Sequence, residues 1–342
     1  MLKLTGFFAR TSLTLALIAG AAAPARAQVT LEMAYMPIIP CSQLFVMEGL
    51  GWTKAAGIEL KLTRFDSGPA IVQALASGKM DVMCLGIGPA MVARGKGIPV
   101  KAIAAGIVDQ IAVIAQGDLV GYFDKHKNGK EALTAFIRDK GRKPKIASFP
   151  KGSVPDTVTR HWLLVSLGMQ PDDVELVGMG ASRVQQALLS RSVDAAGTLE
   201  PVLTIVESQL QGSKVIARSA DMMKGQPGSA LVARESVIAG KREALVKLVA
   251  LHIRATELLK QDPAKAAPHV TEFVAKGLID VATIQKSLES PSTHFRSDPA
   301  DIVRETRYMH DFQKKEKLDT NVSVEGLFDL DIYREAARNL RK

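Results

Sequence analysis

The chain has 342 residues, of which 47% are hydrophobic and 23% are charged, so its length and composition suit about two globular domains. Its formal net charge is +9, but the basic residues are scattered among acids without interleaved aromatic residues, which argues against a nucleic-acid partner. A basic balance suits an anionic ligand or a negatively charged membrane surface. No metal-ligand spacing, phosphate-binding loop or dinucleotide fingerprint occurs, so we expect no metal and no cofactor.

The first 27 residues have the pattern of an export signal. Lys3 and Arg10 precede an uncharged run at 11–23, and the small residues Ala25 and Ala27 suit cleavage after Ala27. The apolar run is too short to span a bilayer, and no cysteine stands at the cleavage point to carry a lipid. Cleavage removes three basic residues and no acid, so the charge falls from +9 to +6. We therefore expect a soluble periplasmic protein.

From residue 28 onward, short apolar runs alternate with helical patterns. The first set of predicted strands is VTLEMAYM, IELKLTRF, DVMCLG and VKAIAAG, with helices at 44–56 and through 71–75 between them. After IAVIAQ at 111–116 a polar stretch interrupts the alternation, and a second set follows with KIASFP, VELVGMG, DAAGTLEP and KVIARSA. Such alternation predicts βαβ units and mostly parallel sheets flanked by helices. We therefore predict an α/β fold of two units joined near 111–116, followed by amphipathic helices from Ser236.

The tripeptide Gly-Pro-Ala occurs twice, at 68–70 and 88–90, each time between a predicted strand and a predicted helix. Proline costs no hydrogen bond in the first helical turn, and KGSVP at 151–155 repeats the pattern in the second unit. Helix starts attract carboxylate, sulfonate or phosphate oxygens, and in a parallel sheet they meet at one edge. The three turns predict an anion-binding cleft, although Gly followed by Pro also makes an ordinary turn, so a purely structural role stays open.

Several segments together resemble the periplasmic substrate-binding proteins of nitrate, sulfonate and taurine type ABC importers, a family that includes binders of thiamine precursors and aromatic acids. The resemblance covers nearly all of the chain after the signal. It rests on AAGIEL (55–60), FDSGPAIVQALASGKMDV followed by GPA, GIPVKAIA (97–104), KGS (151–153), LG (167–168), VDAAGTLEP (193–201) and LFDLDIY (327–333). It implies a type II periplasmic-binding-protein fold with a cleft between two lobes that close on the ligand.

The resemblance also implies the function and the domain boundaries. A monomer would capture a small organic anion, a sulfonate or a carboxylate that can be aromatic, and deliver it to an ABC permease with a cytoplasmic ATPase. Residues 28–112 would form the first part of lobe I, residues 113–225 lobe II, and residues 226–342 the return crossover and the C-terminal helices that complete lobe I. The implied ligand-binding residues are Met36, Pro37, Ile38, Ser67, Gly68, Gly88, Pro89, Gly152, Ser153, Asp156 and Glu200.

Three positions depart from the family pattern or leave alternatives open. Many relatives have Trp-Glu-Pro where this chain has Leu199, Glu200 and Pro201, which puts an aromatic wall in doubt. Asp156 stands near a position that some relatives fill with His. If it faces the cleft, a ligand with a donor as well as an acid group is favoured; otherwise it is a helix-start acid that faces water. Arg183 could pair with an anion or simply be solvated.

The alternative function is an enzyme on the same scaffold. Aromatic sulfinate desulfinases resemble this family and use a cysteine in the loop after the first strand, where Cys41 lies. A nucleophilic thiolate needs a neighbouring His or Arg, and after the signal no histidine precedes His126. We therefore expect a binding protein and not an enzyme. We expect Cys84, in the strand DVMCLG, to be a small core hydrophobe, although an exported protein also permits a disulfide.

Overall fold

The computed structural model of the protein describes residues 28–274, 278–318 and 321–341. The predicted signal and its cleavage after Ala27 lie outside these residues. Within them, every helix is too short or too polar to cross a lipid bilayer.

The described chain alternates strands and helices from its first strand onward. The strands are β1 Val29–Tyr35, β2 Ile58–Arg64, β3 Val82–Gly86, β4 Val100–Ala105, β5 Ile107–Val108, β6 Ala112–Ala115, β7 Lys145–Ser148, β8 Glu175–Gly178, β9 Ala195–Thr198, β10 Lys214–Ala217, β11 Ser229–Arg234 and β12 His294–Phe295. The α-helices are α1 Ser42–Gly49, α2 Trp52–Ala55, α3 Gly68–Leu75, α4 Ile87–Gly95, α5 Asp118–Lys125, α6 Gly129–Lys140, α7 Val154–His161, α8 Ala181–Leu189, α9 Val202–Gln209, α10 Glu235–Gly240, α11 Arg242–Gln261, α12 Pro263–Val274, α13 Val281–Leu288, α14 Val303–Lys315 and α15 Leu330–Asn339. Short 3₁₀ turns occur at Ile39–Cys41, Pro171–Asp173 and Pro299–Ile302, and a π-helical turn at Trp162–Ser166 continues α7.

Two five-stranded sheets organise the molecule, with strand orders β2-β1-β3-β11-β4 and β10-β6-β9-β7-β8. The first sheet, together with helices α1–α4, α10–α12, α14 and α15, is called lobe I. The second sheet, together with helices α5–α9, is called lobe II. The predicted α/β class with two units is confirmed. The exact domain boundaries at 112 and 225 stay a prediction.

The sheets are mixed, whereas the sequence pattern predicted mostly parallel ones. In lobe I, β1 pairs in parallel with β2 and β3, but β11 runs antiparallel to β3 and β4. In lobe II, β7 pairs in parallel with β8 and β9, but β6 runs antiparallel to β9 and β10. The reason is that β6 and β11 enter their sheets after a crossover from the other lobe, and no local pattern reports the direction of such a strand.

One predicted helix is interrupted. The pattern at 44–56 predicts a single helix, but the chain forms α1 and α2 with a break at Gly51, whose φ is +67°. A residue with a side chain would be strained in this left-handed conformation. Glycine adopts it without strain, so the helix can be interrupted here.

The C-terminal helices complete the core of lobe I. The predicted apolar face of α11 is confirmed: Leu245, Leu248, Val249 and Leu259 are all buried. His252 lies on the same face, and its Nε2 is 2.6 Å from the carbonyl oxygen of Ala105 at the end of β4. This histidine is therefore a buried, hydrogen-bonded part of the core.

Candidate ligand-binding cleft

The three helix starts that the sequence singled out, two with Gly-Pro and one with Gly-Ser-Val-Pro, meet between the lobes. Helix α3 begins at Gly68 with Ser67 as its N-cap, and α7 begins after Ser153, whose Oγ accepts from the Asp156 amide at 3.3 Å. A Cβ atom on Gly88, in the first turn of α4, would lie only 3.0 Å from the carbonyl oxygen of Gly152 in the other lobe. Glycine thus permits the close approach of α4 to the start of α7 across the lobe interface.

Between these helix starts lies a cleft of about 360 Å³, part of it open to solvent. The lining residues are Met36, Ile38, Pro40, Cys41, Gly68, Leu85, Gly86, Pro89, Gln110, Phe149, Ser153, Val154, Pro155, Leu199 and Ser229. Among these residues the polar side chains are one amide and two hydroxyls, and none carries a charge. The wall is therefore mainly apolar, and a charged group of a ligand must be stabilised by backbone dipoles.

The predicted site residues take different positions relative to the cleft. Five of them line the cleft: Met36, Ile38, Gly68, Pro89 and Ser153. Ser67, Gly88 and Gly152 belong to the same turns but lie outside the lining. Pro37 lines a separate surface pocket beside Pro201. The ligand contacts of all these residues stay predictions.

Asp156 faces neither the cleft nor bulk water, which are the two alternatives that the sequence left open. It is only 2% exposed, and its Oδ1 accepts from the Nε of Arg160, one turn further along α7, at 2.9 Å. The Gly152 amide lies 3.4 Å from the second carboxylate oxygen. Burial raises the pKa of the Asp156 carboxyl, and the charge of Arg160 opposes that shift. The carboxylate is thus satisfied within its own helix start instead of facing the cleft or bulk water.

Glu200 and Arg183 also lie outside the cleft lining. Glu200 is 3% exposed, its Oε2 accepts from the Thr204 amide at 3.0 Å, and burial raises the pKa of its carboxyl. The preceding residue, Leu199, contributes to the wall where many relatives have a tryptophan. Arg183 is exposed on the first turn of α8. The aromatic member of the wall is Phe149, at the end of β7.

The expectation for the cysteines was wrong, because Cys41 and Cys84 form a disulfide with their Cα atoms 6.0 Å apart. Cys41 directly precedes α1, and Cys84 lies in β3, the neighbour of β1 in the sheet. The sequence signal was present in the form of two cysteines in a chain whose first residues have the pattern of an export signal. A sulfur atom held in this bond is no nucleophile, so the desulfinase alternative loses its proposed thiolate.

Two polar side chains of the lining were missed by the sequence reasoning. The Oγ of Ser229 donates to the Pro40 carbonyl at 2.6 Å and so helps to fix the loop after β1. Gln110 is 3% exposed and lies between β5 and β6, where the chain passes from one lobe to the other. Its only signal in the sequence is its position inside the apolar run IVDQIAVIA, and nothing local shows that it faces a cleft.

The lobes are in direct contact on both sides of the cleft. On one side, the Oγ of Ser182 at the start of α8 lies 3.0 and 3.1 Å from the two carboxylate oxygens of Asp66, in the loop before α3. On the other side, the Nε2 of His161 in α7 lies 2.8 Å from the Tyr308 hydroxyl in α14. The Nε2 of Gln313 also donates to the Thr157 hydroxyl at 2.9 Å. These contacts hold the two walls of the cleft against each other.

Comparisons with known proteins agree with this architecture. The chain is 27% identical over 241 residues to a Brucella abortus (strain 2308) protein named "Putative binding protein", which covers 70% of this chain and 69% of that protein. It is 26% identical over 301 residues to the "Putative aliphatic sulfonates-binding protein" of Bacillus subtilis (strain 168), covering 86% and 85% of the two chains. The crystal structure of the periplasmic nitrate-binding protein NrtA from Synechocystis PCC 6803 superimposes with a TM-score of 0.76 at 15% identity, over 92% of this chain and 89% of that one.

The family model supports the same assignment. The model of the NMT1-like family matches residues 24–275, which is more than half of the chain. Together with the two mixed sheets, the crossover strands and the interlobe cleft, this match shows that the chain belongs to the NMT1-like family and has the fold of periplasmic binding proteins.

Proposed function

We propose that this protein is an extracytoplasmic solute-binding protein that captures a small organic anion, a sulfonate or a carboxylate, and delivers it to an ABC import permease. The observation that carries the proposal is the combination of three helix starts with an apolar cleft whose lining has no charged side chain. Periplasmic location after cleavage at Ala27, the domain boundaries given above and the permease with its ATPase belong to this proposal. They are supported by the resemblance to binding proteins with such partners.

The helix starts would bind the acid group of the ligand. The amides of Gly68, Gly88 and Val154 lie in the first turns of α3, α4 and α7, where a helix offers them no partner of its own. Their positive partial charge favours carboxylate or sulfonate oxygens, and the Ser153 hydroxyl can donate a further hydrogen bond.

The apolar wall would receive the body of the ligand. Met36, Phe149 and Leu199 provide surface that a bare inorganic anion could not cover. Burial of apolar area contributes roughly 25 cal/mol for each Å², so an organic anion gains free energy here that nitrate or sulfate cannot. The lining therefore favours an alkyl or aryl acid over an inorganic one.

Closure would follow from contacts with both lobes. Gly68 and Pro89 lie in lobe I, and Ser153 and Val154 lie in lobe II, so one ligand between them stabilises the closed arrangement relative to an open one. A ligand shifts this equilibrium only by its difference in affinity for the two states.

The first prediction is selective stabilisation by organic anions. We expect benzoate or an alkanesulfonate of similar size to raise the melting temperature, and we expect the corresponding methyl esters and nitrate to raise it much less. A ligand at 100 times its dissociation constant stabilises the folded state by about 2.7 kcal/mol. The measurement is a thermal-shift screen followed by calorimetric titration of the hits. Equal or stronger stabilisation by the neutral esters would refute an anion-binding function.

A further inference from the structure

We infer that Gln110 is a specificity-determining residue and that the ligand carries a hydroxyl or carboxamide group in addition to its acid group. The inference rests on the proposed function, because it assigns a second recognition element to the same cleft. It concerns a residue outside the set that the family resemblance supplied.

The side-chain amide of Gln110 is buried without being satisfied. The residue is 3% exposed and contributes to the cleft lining, yet its Oε1 has no hydrogen-bond partner among the residues that the structure describes. Buried polar atoms nearly always have a partner, and one that lacks it costs about 1–3 kcal/mol of desolvation free energy. Such an atom at the edge of a ligand cleft points to a partner that arrives with the ligand.

A neighbouring glutamine shows what a structural role looks like at this crossover. Gln226 is fully buried, its Oε1 accepts from the Ile111 amide at 3.0 Å, and its Nε2 donates to the Ile111 carbonyl at 3.4 Å. Gln226 therefore holds the backbone directly beyond Gln110, so the crossover does not depend on the Gln110 amide. The two residues form a natural pair for comparison.

The other polar side chains of the lining already have partners. The Ser229 hydroxyl donates to Pro40, and the Ser153 oxygen accepts from the amide of its own helix. Gly228 leaves room for the Gln110 amide, since a Cβ at residue 228 would lie 2.8 Å from the Gln110 Cδ. Gln110 therefore presents an uncommitted amide oxygen to the cleft.

The chemistry of the amide defines the group it would recognise. Its carbonyl oxygen accepts and its NH₂ donates, whereas a carboxylate or sulfonate only accepts. A hydroxyl or a carboxamide can donate to the oxygen and accept from the nitrogen, so it satisfies the buried oxygen that an acid group leaves unpaired. A site built to hydrogen-bond such a group discriminates strongly against the analogue that lacks it.

The test separates the acid group from the hydroxyl group. Calorimetric titration of the full chain uses benzoate, 3-hydroxybenzoate and 4-hydroxybenzoate, together with the methyl ester of each acid. A parallel pair is propane-1-sulfonate and 3-hydroxypropane-1-sulfonate. We expect at least one hydroxylated probe to bind at least about tenfold more tightly than its parent. In Gln110→Leu we expect this ratio to fall to about one, while the parent acid keeps its affinity.

The stability of the ligand-free variants gives a second readout. Gln110→Leu should unfold at the same temperature as the wild type or above it, because no protein hydrogen bond is lost. Gln226→Leu, the matched control, should unfold at a clearly lower temperature. Equal destabilisation by the two substitutions, or a hydroxyl preference that is absent in the wild type or persists in Gln110→Leu, would overturn the inference. If the hydroxyl group raises the affinity of a probe but the acid group does not, the inference about Gln110 holds and the proposed anion binding is refuted.

Discussion

At the scale of single residues, hydrogen bonding within the protein, and not burial alone, distinguishes polar groups with a structural role from one that is available to a ligand. His252, Asp156 and Glu200 are all deeply buried, and each has a hydrogen-bond partner within the protein. Gln110 is buried to a similar extent, but its Oε1 has no partner in the described chain. The contrast shows why residue type alone is a poor guide to a binding site: a carboxylate beside a helix start can be internally neutralised, while an inconspicuous glutamine faces the cleft.

The pH dependence of stability should contain a contribution from His252. Burial lowers the pKa of this histidine from 6.5 to about 4, although its bond to Ala105 opposes the shift. Between these two values the unfolded chain takes up a proton that the folded protein does not, so stability decreases as the pH falls from about 6.5 to about 4. A shift of this size corresponds to roughly 3 kcal/mol at most.

Urea unfolding at pH 7 and pH 5 measures this effect. In His252→Gln, which keeps a donor toward Ala105 but cannot ionise, the loss of stability between the two pH values should be smaller than in the wild type. An identical loss in the wild type and the variant would contradict the assignment.

At the scale of elements, the disulfide joins the entrance of α1 to strand β3 and thereby fixes one wall of the cleft. The two cysteines are separated by 43 positions, and Cys41 itself lines the cleft. The neighbouring backbone is held by the Ser229 hydroxyl on Pro40. The loop between β1 and α1 is therefore tied down at two adjacent points, which favours a preformed site.

Reduction should destabilise the protein without abolishing ligand binding. Opening a crosslink over a loop of this length costs about 2–4 kcal/mol, because the unfolded chain gains conformational freedom. Urea unfolding with and without a reducing agent measures the loss. The double variant Cys41→Ala with Cys84→Ala is the control and should no longer respond to the reductant. A loss of substrate turnover in Cys41→Ser, with binding retained, would instead revive the enzyme alternative.

At the scale of the whole molecule, the lobes meet through a few polar contacts that flank the cleft. Asp66 accepts hydrogen bonds from the start of α8. The Ala181 amide lies 3.2 Å from the backbone carbonyl oxygen of Asp66, and the Ser182 hydroxyl lies 3.0 Å from its carboxylate. On the other side, His161 of α7 contacts Tyr308 of α14, and Gln313 of α14 contacts Thr157 of α7. The Ser182–Asp66 contact is exposed, whereas Thr157 and Gln313 are fully buried, so we expect the contact at Asp66 to contribute the least to closure.

Removal of the Asp66 carboxylate should shift the molecule toward an open arrangement. In Asp66→Ala the Ser182 hydroxyl loses its carboxylate partner in lobe I, while the Ala181 amide keeps the backbone carbonyl of residue 66. We expect a loss of about 1 kcal/mol in ligand affinity, roughly fivefold. The radius of gyration of the ligand-free protein, measured by small-angle scattering, should increase. Asp124→Ala is the matched control, because Asp124 pairs with Lys214 within lobe II. Equal effects of the two substitutions would show that Asp66 does not report on closure.

The local parts of the architecture could be predicted from the sequence, and several of them are confirmed. Proline lies in the first turns of α3, α4 and α7 as predicted, and this pattern depends on residues no more than four positions apart. The apolar face of α11 follows from a spacing of three and four in the same way. The break at Gly51 was missed, because glycine permits a left-handed conformation without requiring it.

The sequence by itself determined the α/β class, the two strand-rich units and the three helix starts with glycine and proline, since each depends on short-range hydrogen bonds and on the period of apolar residues. Only the tertiary structure decided the direction of β6 and β11, the disulfide, the burial of Asp156 and the contact of Asp66 with Ser182. The latter two residues are 116 positions apart in the chain. Contacts over such separations form when the lobes pack together, and no local preference encodes them.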